Sequence, residues 1–341
     1  YLDRGRIAMG GMGEIRRAFD RHLNRTVAVK VLREDLLEDT QLYRRFFEPE
    51  LDLFNQIRAE HNFQSLTQSN KPGKAHRTGI YLTPVEREGE ALRFRLLRCS
   101  TNLSGPTANF GPSDRRIVEA LNEEAGVIFA EQAPLNHVLA QLYWNTPATA
   151  TKKQTKAKIN GHADKTKDMP GNAIMAFCTF YDQAHDLQPL ANDPFDRGYR
   201  NTSGLTRLHF RLKKPVAKRH GCKWKRNFDV TLYPNSVFYM PLSTNRLYTH
   251  EIRPAGLDVE RIPTRMGYVV RCSTREAVYE SGRTYLDQEG TRVELEPPTR
   301  EGLAELRRLY AEENHSDSFI DYGDGFRFSM NQGDYAKPEF E

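Results

Sequence analysis

Three residues of this chain can do chemistry together. His162 and Asp164 sit two apart in Gly161-His162-Ala163-Asp164-Lys165, and His250 follows far downstream. Two imidazoles and one carboxylate can take one face of an octahedral Fe(II) ion and leave the other positions open for O2 and a co-substrate. Beyond His250 stand Arg265 and Arg271. A guanidinium meets a carboxylate with a planar two-pronged fork, so this pair can clamp a co-substrate acid. In extended chain, even spacing puts His162 and Asp164 on one face, and Arg265 and Arg271 on one face. His250 then has to arrive from another strand. Two buried guanidiniums are costly without an anion, and a dicarboxylate meets that need. Taken singly, a His-Asp pair or two strand arginines read as solvated surface; their order is what points to a metal centre.

The elements that must position these groups are mostly short strands. Ile80–Val85, Leu92–Leu97, Val138–Trp144, Ala173–Tyr181, Leu208–Leu212, Phe228–Leu232, Ser236–Met240 and Gly267–Cys272 are apolar or alternating runs bounded by turn residues, the pattern of strands. Helical spacing starts near Leu51 and continues through Phe54 and Ile57. Ser113 or Asp114 can cap a helix carrying Ile117, Val118 and Leu121, and Leu303, Leu306 and Leu309 predict another over 299–313. The expected class is α+β, mainly β, with a barrel or jelly-roll core over about 125–280 and flanking helices.

The chain's 341 residues, 38% hydrophobic and 28% charged, suit a water-exposed globular fold with a sizeable core. No run approaches the roughly 18 apolar residues of a membrane span. Cys99, Cys178, Cys222 and Cys272 are scattered without a C-x-x-C pair, which argues against structural zinc and disulfides and fits a reducing cytoplasm. The opening Tyr1–Arg6 has neither an initiator Met nor an apolar leader, as expected of a piece of a longer reading frame. Net charge is only +5, yet Arg207–Arg226 holds nine Lys/Arg and no acid, and Lys152, Lys153, Lys156 and Lys158 precede the metal motif. Such clusters can collect a polyanion such as nucleic acid; an ordinary solvated loop is the plain alternative.

The first fifty residues differ in character. Ala8-Met9-Gly10-Gly11-Met12-Gly13 precedes the strand Thr26-Val27-Ala28-Val29-Lys30-Val31-Leu32, which resembles the N-terminal lobe of bacterial Ser/Thr protein kinases: a glycine-rich phosphate loop, then the V-A-V-K lysine. The chain departs from that pattern at Ala8, places only Glu48 and Glu50 around Pro49 where a helix glutamate belongs, and lacks H-R-D, D-F-G and A-P-E. Phosphoryl transfer needs those groups, so residues 1–50 read as a kinase-like remnant ahead of a second unit, 51–341. A merely ATP-binding regulatory protein is the minor alternative that rests on this segment.

Read together, the core strands resemble the AlkB-like Fe(II)/2-oxoglutarate dioxygenases. The likeness runs from about Leu139 to Thr274 and rests on the H-x-D-K of His162–Lys165, on His250-Glu251-Ile252-Arg253-Pro254, and on the R-x5-R of Arg265–Arg271. It implies a double-stranded β-helix with iron on His162, Asp164 and His250. It implies 2-oxoglutarate on Arg265 and Arg271, with Tyr143 and Asn145 as further hydrogen-bonding candidates. The activity implied is O2-driven hydroxylation or oxidative demethylation, with a nucleic-acid base as the leading substrate. A protein side chain, a small metabolite or a non-catalytic nucleic-acid binder are the alternatives. Three departures stand out: Gly267 replaces a polar residue two beyond the first arginine, Thr166 replaces an acidic base reader, and the long separation of His162 from His250 suggests that the basic Arg207–Arg226 stretch is an insertion. Trp144, Tyr181, Trp224 and Tyr239 are candidate base-stacking surfaces.

Overall fold

The computed structural model describes residues 2–10, 13–20, 25–32, 40–67, 74–97, 103–182, 187–220 and 224–340. Its frame is mainly antiparallel β. The main sheet runs, in spatial order, Leu2–Gly10, Gly13–Asp20, Arg25–Leu32, Gln41–Tyr43, Ser236–Pro241, Ile174–Tyr181, Arg265–Arg271, His137–Tyr143, Lys74–Thr83 and Gln64–Thr67. Ala108–Asn109 adds a short parallel pairing to Lys74–Thr83. A four-stranded sheet, in the order Ile159–His162, Tyr248–Arg253, Arg207–Leu212, Asn227–Thr231, packs over the middle of the main one.

The chain passes repeatedly between these two sheets. His137–Tyr143 lies in the main sheet, Ile159–His162 in the short one, and Ile174–Tyr181 returns to the main one. Arg207–Leu212 and Asn227–Thr231 are in the short sheet, Ser236–Pro241 in the main, Tyr248–Arg253 in the short, and Arg265–Arg271 in the main. Each central main-sheet strand is therefore covered on both faces, which is why Ile174–Tyr181 is nearly all apolar and buried. One face meets the short sheet. The other meets the helices Leu53–Glu60 and Pro112–Ile128: Tyr239 Oη donates to Leu121 O at 3.0 Å, and Tyr268 Oη to Asp114 Oδ1 at 2.7 Å.

The strand Arg265–Arg271 shows how the period of two sorts its side chains. Met266, Tyr268 and Val270 are fully buried in the core, whereas Arg265, Gly267, Val269 and Arg271 line the space between the sheets. Asp114 belongs to the helix side; its carboxylate also accepts from Gly111 N at the helix start and pairs with His61 Nε2 at 2.6 Å. A five-stranded sheet, Glu86–Glu88, Ala91–Leu96, Arg275–Glu280, Arg283–Gln288 and Thr291–Glu294, has its own small core of Leu92, Phe94, Leu96 and Leu286. The helix Arg300–His315 begins at Thr299, whose hydroxyl accepts from Gly302 N at 3.0 Å.

Residues up to 50 join the main sheet through Gln41–Tyr43, which pairs with both Arg25–Leu32 and Ser236–Pro241, and Tyr43 and Phe47 are part of the central core. Pro49–Leu51 forms a single 3-10 turn with Glu48 before it, not the long helix a kinase lobe carries there. The side chain of Lys30 and residues Gly11 and Met12 lie outside the described residues, as do Cys99 and Cys222. The basic stretch begins inside the short sheet. Arg207–Leu212 is an inner strand of the short sheet, and the helix Lys214–His220 follows directly. Arg207 and Arg211 are exposed, while Leu208 and Phe210 between them are buried. No helix among the described residues is long and apolar enough to cross a membrane.

Candidate metal centre and co-substrate pocket

His162 and His250 are register partners on adjacent antiparallel strands, so their rings meet with centroids 4.7 Å apart. Asp164 lies just beyond the end of the first strand, in the loop that follows. Its Oδ1 is 3.5 Å from His162 Nε2 and 3.9 Å from His250 Nε2. One donor atom from each residue lies within 4.8 Å of the others. Sequence spacing places the first His and the Asp on one strand face; here the strand stops at His162, and the carboxylate reaches the imidazoles from a loop.

The protonation pattern suits a cation. His162 Nδ1 donates to Asn160 O at 2.9 Å, which turns Nε2 toward the Asp164 carboxylate. Burial, reinforced by His162, lowers the pKa of His250 to about 3, so its ring is neutral. Its orientation comes from packing: Phe177 lies edge-on at 5.7 Å and Phe210 lies tilted at 5.8 Å. Burial pushes the Asp164 carboxyl up, but Arg271 and the two imidazoles override it and hold it well below the ordinary carboxylate range. Arg271 Nη2 donates to Asp164 Oδ2 at 2.8 Å.

These groups open into a cavity of about 910 Å³ between the two sheets. Arg265, only 4% exposed, lies on the same wall as Arg271, with its guanidinium carbon 4.0 Å from the centre of the Tyr143 ring. Its Nη2 is buried without a hydrogen-bond partner, and Tyr143 Oη turns to Gln141 Oε1 at 3.0 Å. Gly267 explains how Arg265 fits: a Cβ there would stand 2.8 Å from Arg265 Nη1 and 3.2 Å from Tyr143 Cε2. Among the described lining residues Asp164 is the one carboxylate, set against Arg77, Lys156, Lys158, Lys165, Arg265 and Arg271. A buried donor without an acceptor costs about 1–3 kcal/mol, so an acid seated at Arg265 would relieve a standing penalty.

Six of the seven residues singled out from sequence thus converge. Asn145 does not: its Oδ1 accepts from Ala157 N at 3.0 Å, bracing the loop ahead of the metal strand instead of facing the cavity. Among the stacking candidates, Tyr239 is core, Tyr181 Oη donates to Leu232 O at 2.9 Å, and Trp144 is partly exposed. Gln141 escaped notice although it shares Tyr143's face two residues earlier. Arg77 was also missed; it pairs in register with Tyr143 from the next strand, and its Nε is buried without a partner. Asn245, Glu313 and Asn314, which hold the Asp164 loop, left no local signal, since each acts across at least 81 residues of chain.

A second carboxylate-imidazole group, Glu60, His61 and Asp114, also has donor atoms within 4.8 Å of each other. It lies on the helix side of the main sheet, and its atoms are taken up in binding Ser113, Gly111 and Tyr268.

No family model matches the chain, and no curated protein matches it. Solved structures do match, 77 chains in number. One, described as "The structure of OsALKBH1", is 12% identical with a TM-score of 0.37, the match covering 68% of this chain and 97% of that one.

Proposed function

We propose that this chain is an Fe(II)- and 2-oxoglutarate-dependent dioxygenase of AlkB-like type, built on a double-stranded β-helix, that hydroxylates or oxidatively demethylates a nucleic-acid base. The observation that carries the reading is one shared cavity. It holds two imidazole nitrogens and a carboxylate oxygen within reach of one ion, and on the same wall a buried guanidinium with an unmet donor. The eight strands divided four and four between the two sheets support the fold assignment.

His162, Asp164 and His250 would hold the iron, as two imidazoles and a carboxylate suit a non-haem ferrous centre. When bound, iron and 2-oxoglutarate together supply O2-driven hydroxylation of a C–H bond with release of succinate and CO2. The chain's own residues do the rest. Arg265, stacked on Tyr143, offers its planar fork to the far carboxylate of the co-substrate. Arg271 fixes which oxygen of Asp164 faces the imidazoles. Phe177 and Phe210 keep the His250 ring dry and oriented.

The substrate reading draws on charge. Lys156, Lys158 and Lys165 line the cavity, and Asp164 is the one carboxylate among its described lining residues. A phosphate-bearing substrate suits such a wall, better than it suits the outward-facing Arg207 and Arg211. The test is anaerobic titration with Fe(II) and 2-oxoglutarate, then aerobic succinate release across a panel of methylated oligonucleotides. Succinate formation that disappears in His162→Ala, with a product lighter by one methyl or heavier by one oxygen, supports the proposal. Binding of oligonucleotides that ignores salt and the charges of Lys156 and Lys158 would remove nucleic acid from it.

A further inference from the structure

The loop that carries Asp164 is held by distant side chains instead of by strand pairing. After the strand ends at His162, Ala163 N donates to Asn314 Oδ1 at 2.8 Å. Asp164 N donates to Asn245 Oδ1 at 2.8 Å, and Asn245 Nδ2 returns a bond to Asp164 O at 2.8 Å. Thr166 N donates to Glu313 Oε2 at 3.3 Å, and the Thr166 hydroxyl donates to Glu313 Oε1. Two of the three anchors thus lie in the last turn of the helix Arg300–His315, about 150 residues downstream in sequence.

The anchors are themselves fixed. Asn314 Nδ2 donates to Tyr310 O at 3.0 Å, which turns its oxygen toward Ala163. Tyr322 Oη donates to Glu313 Oε2 at 2.6 Å, and Lys213 Nζ donates to Glu313 O at 2.7 Å. A backbone N–H buried without its acceptor is penalised, so the segment has one satisfied arrangement while these side chains stay in place.

We infer that Glu313 and Asn314 are positioning residues for Asp164, so that the end of the C-terminal helix is a working part of the metal centre and sets its affinity. This rests on the reading of His162, Asp164 and His250 as metal ligands. Neither residue touches the ion site through its own donor atoms; each acts by fixing the backbone from which the Asp164 carboxylate projects. Loss of such outer partners typically weakens metal binding by about 10–100-fold.

The test titrates the full chain with Co(II), reading affinity and coordination from the visible absorption bands, beside thermal melting of the metal-free protein. Asn314→Leu and Glu313→Leu remove an acceptor; Glu313→Gln loses the same charge as Glu313→Leu but keeps an oxygen for the loop. The expected result is Co(II) binding weakened about 10–100-fold with altered bands in the two Leu variants, and near-native binding in Glu313→Gln. Native affinity and bands in Asn314→Leu and Glu313→Leu overturn the inference. So does equal loss in Glu313→Gln and Glu313→Leu, which would assign the effect to charge. A wild-type chain with no His162-dependent Co(II) site overturns the metal-centre reading itself. Should Glu313→Leu not fold, Asn314→Leu carries the test, because Asn314 is only half-buried at the helix end.

Discussion

Arg271 and Asp164 form a buried pair in which one guanidinium nitrogen takes Oδ2 at 2.8 Å and leaves Oδ1 turned toward both imidazoles. The arginine thereby decides which oxygen is offered to a metal, and it lets a carboxylate stay charged in a buried place.

Removing one member of such a pair strands the other. Arg271→Met is expected to lower the unfolding free energy of the metal-free protein by about 3–5 kcal/mol. Adding Asp164→Asn should recover part of the loss, because no isolated charge is then left. Urea denaturation of the two single variants and the double variant checks this; strict additivity would show that the pair has no mutual dependence.

Gly267 leaves the space in which the Arg265 guanidinium lies. A methyl group at that position would meet Arg265 Nη1 at 2.8 Å and the Tyr143 ring at 3.2 Å, so Gly267→Ala should displace the clamp. A charge-assisted hydrogen bond contributes about 1.5–3 kcal/mol, which corresponds to a rise of roughly tenfold or more in the Kd for 2-oxoglutarate. Calorimetric titration of the Mn(II)-loaded variant is the measurement, with Mn(II) affinity itself unchanged. Native 2-oxoglutarate affinity would detach Arg265 from co-substrate binding.

What the sequence disclosed followed from local rules. The two-residue period announced that Arg265 and Arg271 share a face, and the structure puts Gly267 and Val269 between them on that wall. Helical spacing around Ile117 and Leu306 located two helices that appear at Pro112–Ile128 and Arg300–His315. Long-range hydrogen bonding was illegible: nothing near Asn245 or Asn314 in the chain says that their amides hold the loop at 163–164. Asn145 failed for the same reason, since its bond to Ala157 depends on where a loop returns. Charge along the basic run at Arg207 does not disclose facing; on a strand, alternate residues are core, as Leu208 and Phe210 are.

Phe210 links the fold to the site. Fully buried, it stacks on Phe228 with centroids 4.6 Å apart and touches the His250 ring. Phe210→Ala should cost about 3–5 kcal/mol of stability from lost burial and the cavity left behind, and it should also loosen the ring that Co(II) binding requires. Chemical denaturation together with Co(II) titration tests both halves; a stable variant with weak metal binding, or the reverse, would separate packing from ligand orientation.

Lys213 gives the pH dependence a sign. It is 4% exposed, and its ammonium donates to Glu313 O at 2.7 Å and Ser316 O at 3.0 Å. Burial lowers its pKa from 10.5 to about 8, against the pull of Glu313 and Asp317 and with some repulsion from Arg246. Between pH 8 and 10.5 the unfolded chain therefore holds a proton that the folded chain has released, and stability from this group must rise with pH across that window. Below pH 8 the full cost of burying the ammonium is present; above 10.5 it is gone. Subtracting the urea-derived unfolding free energies of Lys213→Met from those of the wild type cancels the other titrating groups. The difference should climb in favour of the wild type from pH 8 to 10.5 and level off on either side. Parallel curves for the two proteins would mean that the amine titrates alike whether the chain is folded or not, and that its two carbonyl partners keep it as well solvated as water does.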